Sequence, residues 1–127
     1  MHASPSIRVM MMPRDTNAHG TIFGGVLLSY IDQAGAVAAR KFSPQKFVTV
    51  AIDSVEFKRP VYVGDTLSFY GRVVKSGRSS LRIHVSVEAE RFTDPRDVVR
   101  VTEAELVYVA VDDAGRPAPI AHSALEE

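Results

Sequence analysis

One long apolar segment, Phe23 to about Phe42, most constrains how this chain can fold. Its polar positions Ser29, Asp32, Gln33 and Arg40 fall in a narrow stripe, and the rest of its circumference is greasy. At helical periodicity this predicts a single long helix enclosed on most sides by a sheet or a partner. Small residues run through it (Gly25, Ala34, Gly35, Ala36, Ala38 and Ala39), so other backbone can approach closely.

Almost everything after Phe47 reads as strand. Phe47–Phe57 is β-branched and aromatic, and Pro60 with Val63-Gly64-Asp65 predicts a turn. Thr66–Lys75 alternates Leu67, Phe69 and Val73 against Ser68, Tyr70 and Arg72, and Lys75-Ser76-Gly77-Arg78 closes it with a tight turn. Ser80–Arg91 sets Leu81, Ile83, Val85 and Val87 against Arg82, His84, Ser86 and Glu88. A loop at Thr93–Asp97 precedes a last strand, Val98–Val111, closed by Asp112-Asp113-Ala114-Gly115. Upstream of the helix, Ile7–Met12 reads as an edge strand ended by Pro13, and Arg14–Gly20 as a polar loop. One helix followed by four long strands in hairpin succession predicts an α+β domain with an antiparallel sheet. At 127 residues one domain is expected, with residues 116–127 a tail that is mobile or docks late.

Composition then removes several classes of function. Fifteen basic residues balance fifteen acidic ones, so no bulk charge draws the chain to nucleic acid or to an anionic membrane. There is no cysteine, which excludes disulfides, thiolate metal sites and a cysteine nucleophile. The four histidines lack ligand-like spacing, so no metal is expected. Met1–Met12 lacks the features of a signal peptide, and no run approaches the roughly 18 apolar residues of a membrane span. A cytoplasmic protein is expected.

The chemistry concentrates around the start of the helix. Free backbone N–H groups and the positive end of the helix dipole coincide at Gly24 and Gly25. They offer a place to hold a carbonyl oxygen as it gains negative charge. The glycines also suit a spot where strand or ligand backbone passes close, and the two readings are compatible. Asn17 lies just upstream and Asp32 stands inside the greasy helix, and together these are parts for attacking an acyl carbonyl with water. Taken alone, Asp32 reads equally well as a solvent-facing acid, Asn17 as turn chemistry and His19 as a structural hydrogen bonder. Lys58 and Arg59, with Arg78 in Gly77-Arg78-Ser79-Ser80, are either solvated hairpin-tip charges or a phosphate clamp of cations, hydroxyls and turn amides. Asp53, Glu56, Glu103 and Glu105 alternate within strands, facing water or pairing with arginines.

Three segments in this order and spacing resemble the hotdog-fold acyl-CoA thioesterases, specifically the small bacterial acyl-CoA hydrolases of broad range. They are Asn17–Gly25 with Asp32, Phe57-Lys58-Arg59-Pro60-Val61-Tyr62-Val63-Gly64-Asp65, and Gly77-Arg78-Ser79-Ser80. The resemblance covers nearly the whole chain. It implies one helix wrapped by a curved antiparallel sheet, Asp32 as the catalytic carboxylate (general base or direct nucleophile) and Asn17 working opposite it. His19 becomes at most a substrate contact, and Lys58, Arg59, Gly77, Arg78, Ser79 and Ser80 become contacts to coenzyme A. Gly25 and Asp32 lie seven residues apart, roughly 10 Å along one helix axis, too far to act on one carbonyl. Asp32 is therefore expected from a second chain, in keeping with the family's obligate dimers, which assemble into tetramers or hexamers. The substrate is an acyl-CoA, coenzyme A is part of it, and no cofactor is implied. Two rival readings share the fold: an acyl-thioester dehydratase or hydratase, which wants a histidine paired with an acid, and a non-enzymatic acyl-CoA-binding sensor.

Overall fold

A computed structural model describes residues 4–121. Strand β1 (Ile7–Met10) and a 3-10 turn over Pro13–Asp15 lead into helix α1 (Gly24–Phe42). Strands β2 (Lys46–Phe57), β3 (Thr66–Ser76), β4 (Ser80–Glu90) and β5 (Val98–Val111) follow. All pair antiparallel in one five-stranded sheet of order β1-β3-β4-β5-β2. The helix lies across one face of this sheet. Among the described residues no helix is long and apolar enough to cross a membrane.

Alternation in the sequence becomes the two faces of the sheet. Leu81, Ile83, Val85, Val87 and Ala89 of β4 are buried against the helix, as are Ala104, Leu106, Tyr108 and Ala110 of β5. The intervening Arg82, His84, Glu103 and Glu105 face outward and pair with one another or with Lys58 and Asp53. From α1, Leu27, Ile31, Ala34, Ala38 and Ala39 close the core. The helix settles deeply because its contact residues are small. At Gly71 of β3 a Cβ would fall 2.9 Å from the Ala38 Cβ and 3.2 Å from the Ala34 carbonyl oxygen.

The expected hairpin between β2 and β3 does not form. β2 pairs with β5 at the far edge, starting from Lys46 opposite Val111, and β3 pairs with β1 and β4. The segment from Lys58 to Asp65 is therefore a crossing connection, not a turn. Buried Asp65 holds it down by accepting from the Tyr62 N–H at 3.0 Å, the Phe92 N–H at 3.1 Å and Arg91 Nη1 at 2.7 Å. Arg91 also donates to the Pro60 carbonyl at 3.0 Å and lies over the Tyr62 ring. Gly64, at φ +89°, turns the connection where Phe92 packs so closely that a Cβ would sit 2.7 Å from its ring.

The tail is fastened as far as the structure describes it. Asp112 Oδ1 accepts the Arg116 N–H, Ala118 N–H donates to Ala110, and Ile120 N–H donates to the Arg78 carbonyl. Ile120 is buried, so a side chain joins the core as well. Residues 116–121 are thus docked by backbone pairing and apolar burial. The remainder, 122–127, lies outside the described residues.

As an edge strand, β2 carries irregular register at Val50 and Asp53 that curls it. Val48, Val50, Ile52 and Phe57 are 41%, 55%, 42% and 51% exposed. An edge this long and apolar invites a second chain.

Candidate active site

The loop before α1 is built around Asn17. Its Oδ1 accepts the His19 N–H at 2.8 Å and the Thr21 N–H at 3.2 Å, and its Nδ2 donates to Thr21 Oγ1 at 2.8 Å. The amide oxygen and one of the two amide N–H donors are thus engaged locally, in the turn chemistry its residue type favours. The result is a rigid loop that delivers the helix start, further held by Ile22 N–H to Val61 and Phe23 N–H to Asp15. At Gly24 and Gly25 no side-chain cap intervenes, and neither N–H has an acceptor among the described residues. A Cβ at Gly25 would meet nothing within 4 Å, whereas one at Gly24 would lie 3.3 Å from the Phe57 ring. Gly25 therefore leaves open space beside the helix start, and Gly24 lies against an aromatic wall.

Beside these donors is a cavity of about 350 Å³ whose lining includes Gly24, Leu27, Phe57, Lys58, Arg59 and Val61. It joins the helix start to the crossing connection, so two of the segments singled out in the sequence meet here. Asp32 is not part of its lining.

Asp32 sits further along α1, where the helix faces β2 and β5. Thr49 and Tyr108 stand directly opposite each other across the β2–β5 ladder. Thr49 Oγ1 donates to Asp32 Oδ1 at 2.7 Å, and the Tyr108 hydroxyl donates to the Asp32 backbone carbonyl at 2.7 Å with Oδ1 at 3.1 Å. Burial raises the Tyr108 phenol above its ordinary pKa, and the neighbouring carboxylate raises it further. Neither residue stood out in the sequence. A tyrosine on the inward row of β5 was the available signal, because a buried phenol must find a partner for its oxygen.

The basic residues do not form one cluster within a single chain. Lys58 Nζ is paired with Glu103 Oε2 at 2.7 Å, and that bond, with the attendant charge attraction, raises the lysine pKa and lowers the glutamate pKa. Arg59 and Arg78 have no ion pair among the described residues. Gly77 and Ser80 line a separate concavity of about 190 Å³ with Lys75 and Arg82. The backbone of that turn is clamped, Gly77 N–H to Ser80, Ala110 N–H to Ser79 and Ile120 N–H to Arg78. His19 is exposed. Among the described residues no group of three or more His, Asp or Glu side chains is placed to hold a metal.

A family model described as the thioesterase superfamily matches residues 19–93, from the Asn17 loop through the β4–β5 connection. The acyl-CoA thioester hydrolase YciA of Salmonella typhimurium is 40% identical over 116 residues, which is 90% of this chain and 87% of the relative. A hexameric hotdog fold thioesterase of Campylobacter jejuni superposes with a TM-score of 0.90 at 42% identity, over 98% of this chain and 94% of that one. An acyl-CoA hydrolase from Staphylococcus aureus, crystallised with butyryl coenzyme A, coenzyme A and coenzyme A disulfide, has a TM-score of 0.84 at 32% identity, covering 91% and 70% of the two chains. That enzyme has also been solved with an asparagine and with an aspartate replaced by alanine, residues fifteen positions apart in its chain. Asn17 and Asp32 have the same separation. The chain belongs to the thioesterase superfamily and has its hotdog fold.

Proposed function

We propose that this protein hydrolyses acyl-CoA thioesters to a carboxylic acid and coenzyme A, at composite sites shared between two copies of the chain. The observation that carries the reading is the division of parts within one chain. Unpartnered amides at Gly24 and Gly25 open the helix beside a cavity that Gly24 lines, and a carboxylate held by Thr49 and Tyr108 lies outside it. With roughly 10 Å of helix between Gly25 and Asp32, a partner related by a two-fold axis supplies what each half lacks. The apolar edge of β2 gives that partner a surface to bury, and we extend the reading to a hexamer made of three such dimers.

In this site the Gly24 and Gly25 amides receive the thioester oxygen as it becomes an oxyanion. Asp32 of the partner subunit takes a proton from water while the water oxygen bonds to the carbonyl carbon. Collapse of the tetrahedral intermediate breaks the C–S bond, and the coenzyme A thiolate leaves and is protonated. Direct attack by the carboxylate, with water then opening the anhydride, is the other route. Both need the same carboxylate in the same place. Asn17 shapes the loop that aims the amides, and His19 at its tip is positioned to meet substrate. Arg59, Arg78, Ser79 and Ser80 suit the coenzyme A phosphates, with the Gly77 turn presenting them, and Lys58 contributes from its bond to Glu103.

A dehydratase reading would need an acid-paired histidine at the helix start. Among the described residues the histidine with a carboxylate partner is His84, on the outer face of the sheet. The hydrolase reading calls for no cofactor, and coenzyme A esters being intracellular intermediates, it places the protein in the cytoplasm. The test is thiol release from a panel of short, medium and long acyl-CoAs in the presence of a chelator. Turnover is expected on at least part of the panel. Binding without release on all of them would make the protein a sensor.

A further inference from the structure

The contacts to Asp32 are unevenly distributed between its two carboxylate oxygens. Thr49 Oγ1 and the Tyr108 hydroxyl both lie against Oδ1, at 2.7 and 3.1 Å. Oδ2 has no hydrogen-bond partner among the described residues. The Tyr108 hydroxyl also lies 2.7 Å from the Asp32 backbone carbonyl, so its one proton is shared between both ends of the residue. A phenol needing only to satisfy its own oxygen would be content with the helix carbonyl.

The helix is specifically opened to admit it. Gly35, one turn below Asp32, lies so close to Tyr108 that a Cβ there would be 2.1 Å from the hydroxyl oxygen and 2.8 Å from Cζ. Tyr108 itself is 1% exposed. A residue placed solely to fill the core would not require a glycine in mid-helix, which costs about 1 kcal/mol against alanine.

We infer that Tyr108 is a positioning residue for the hydrolysis. By pinning Oδ1 of Asp32 it leaves Oδ2 as the oxygen that meets the attacking water or the thioester carbon. This rests on the reading of Asp32 as the reacting carboxylate. Burial and the neighbouring carboxylate raise the pKa of the phenol, so it keeps its proton and remains a donor across the neutral range.

The test is a cycle of Tyr108→Phe, Asp32→Asn and the double variant, assayed well below each melting temperature so that all protein is folded. Tyr108→Phe deletes one oxygen and keeps the ring. It is expected to lower kcat about tenfold in the Asp32 background with KM within about twofold, and to leave the residual rate of Asp32→Asn unchanged. Equal losses in both backgrounds, no loss in either, or a loss carried by KM would overturn the inference. Asp32→Asn retaining near-normal kcat would remove the parent reading, and the inference with it, whatever Tyr108→Phe does. If Tyr108→Phe fails to fold, Gly35→Ala, which displaces the phenol and keeps its hydroxyl, is put through the same cycle with the same expected and overturning results.

Discussion

Asp32 and Arg78 make a useful contrast, because both are ionised side chains whose sequence surroundings allow an idle surface role. Asp32 is held from two strands at once, by Thr49 and Tyr108, while among the described residues Arg78 is held through its backbone carbonyl alone. Substitution should separate the two. Asp32→Asn keeps the shape and loses the base or nucleophile, so kcat should fall on the order of 10²-fold or more with folding and coenzyme A affinity retained. Arg78→Ala should raise KM and leave kcat near normal, since a phosphate contact remote from the carbonyl binds ground and transition states alike. Steady-state kinetics on one acyl-CoA checks both. Near-normal kcat in Asp32→Asn would return that residue to the role of an ordinary surface acid.

At the scale of elements, the least replaceable joint is the crossing connection between β2 and β3. Asp65 and Arg91 are 2% and 15% exposed, whereas Arg82 and Asp53 on the outer face are 38% and 41% exposed. Removing one partner of a buried, multiply bonded pair strands the other, and at this burial Asp65→Ala should cost about 3 kcal/mol. In a chain of this size that lowers the melting temperature by roughly 10 °C. Asp53→Ala should change stability by no more than about 0.5 kcal/mol. Calorimetry of the two variants decides whether burial, as opposed to the mere presence of an ion pair, sets the cost. The same joint shows where reading the sequence stopped. The helix and the strand spans were legible because period and alternation are local properties, and Leu81 through Val87 announce their face without reference to anything else. The place of β2 was not legible, because pairing with β5 instead of β3 depends on contacts some fifty residues apart, beyond any hairpin rule. Thr49 and Tyr108 were hidden for the same reason, since only the register of those two strands brings them together beneath Asp32. Asn17 was visible, but not that its amide oxygen and one amide N–H are committed to the loop.

For the whole molecule, the divided site proposed above has the consequence that two broken proteins can make a working one. Asn17→Ala disturbs the loop that aims the amides, and Asp32→Ala removes the carboxylate, so each variant alone should be inactive. In a mixed dimer one composite site collects both lesions and the other collects neither. Random pairing makes half the dimers mixed, so roughly a quarter of all sites should recover full composition. Co-expression or joint refolding, followed by the thiol assay, should therefore restore activity that neither parent shows. If subunit exchange is verified and no activity returns, both residues belong to one chain's site and the shared arrangement is wrong.

The meeting of Gly35 with Tyr108 also limits how a lineage carrying this fold can drift. A methyl group at position 35 collides with the phenol, and loss of the hydroxyl alone does not make room, because the ring carbon behind it is only 2.8 Å away. Neither position can therefore change freely while the other stays. Descendants that acquire a side chain at 35 should also carry a smaller residue at 108 and hold the aspartate from some other direction. Aligned relatives in which position 35 bulks up beside an intact tyrosine would show the helix able to shift without losing its carboxylate.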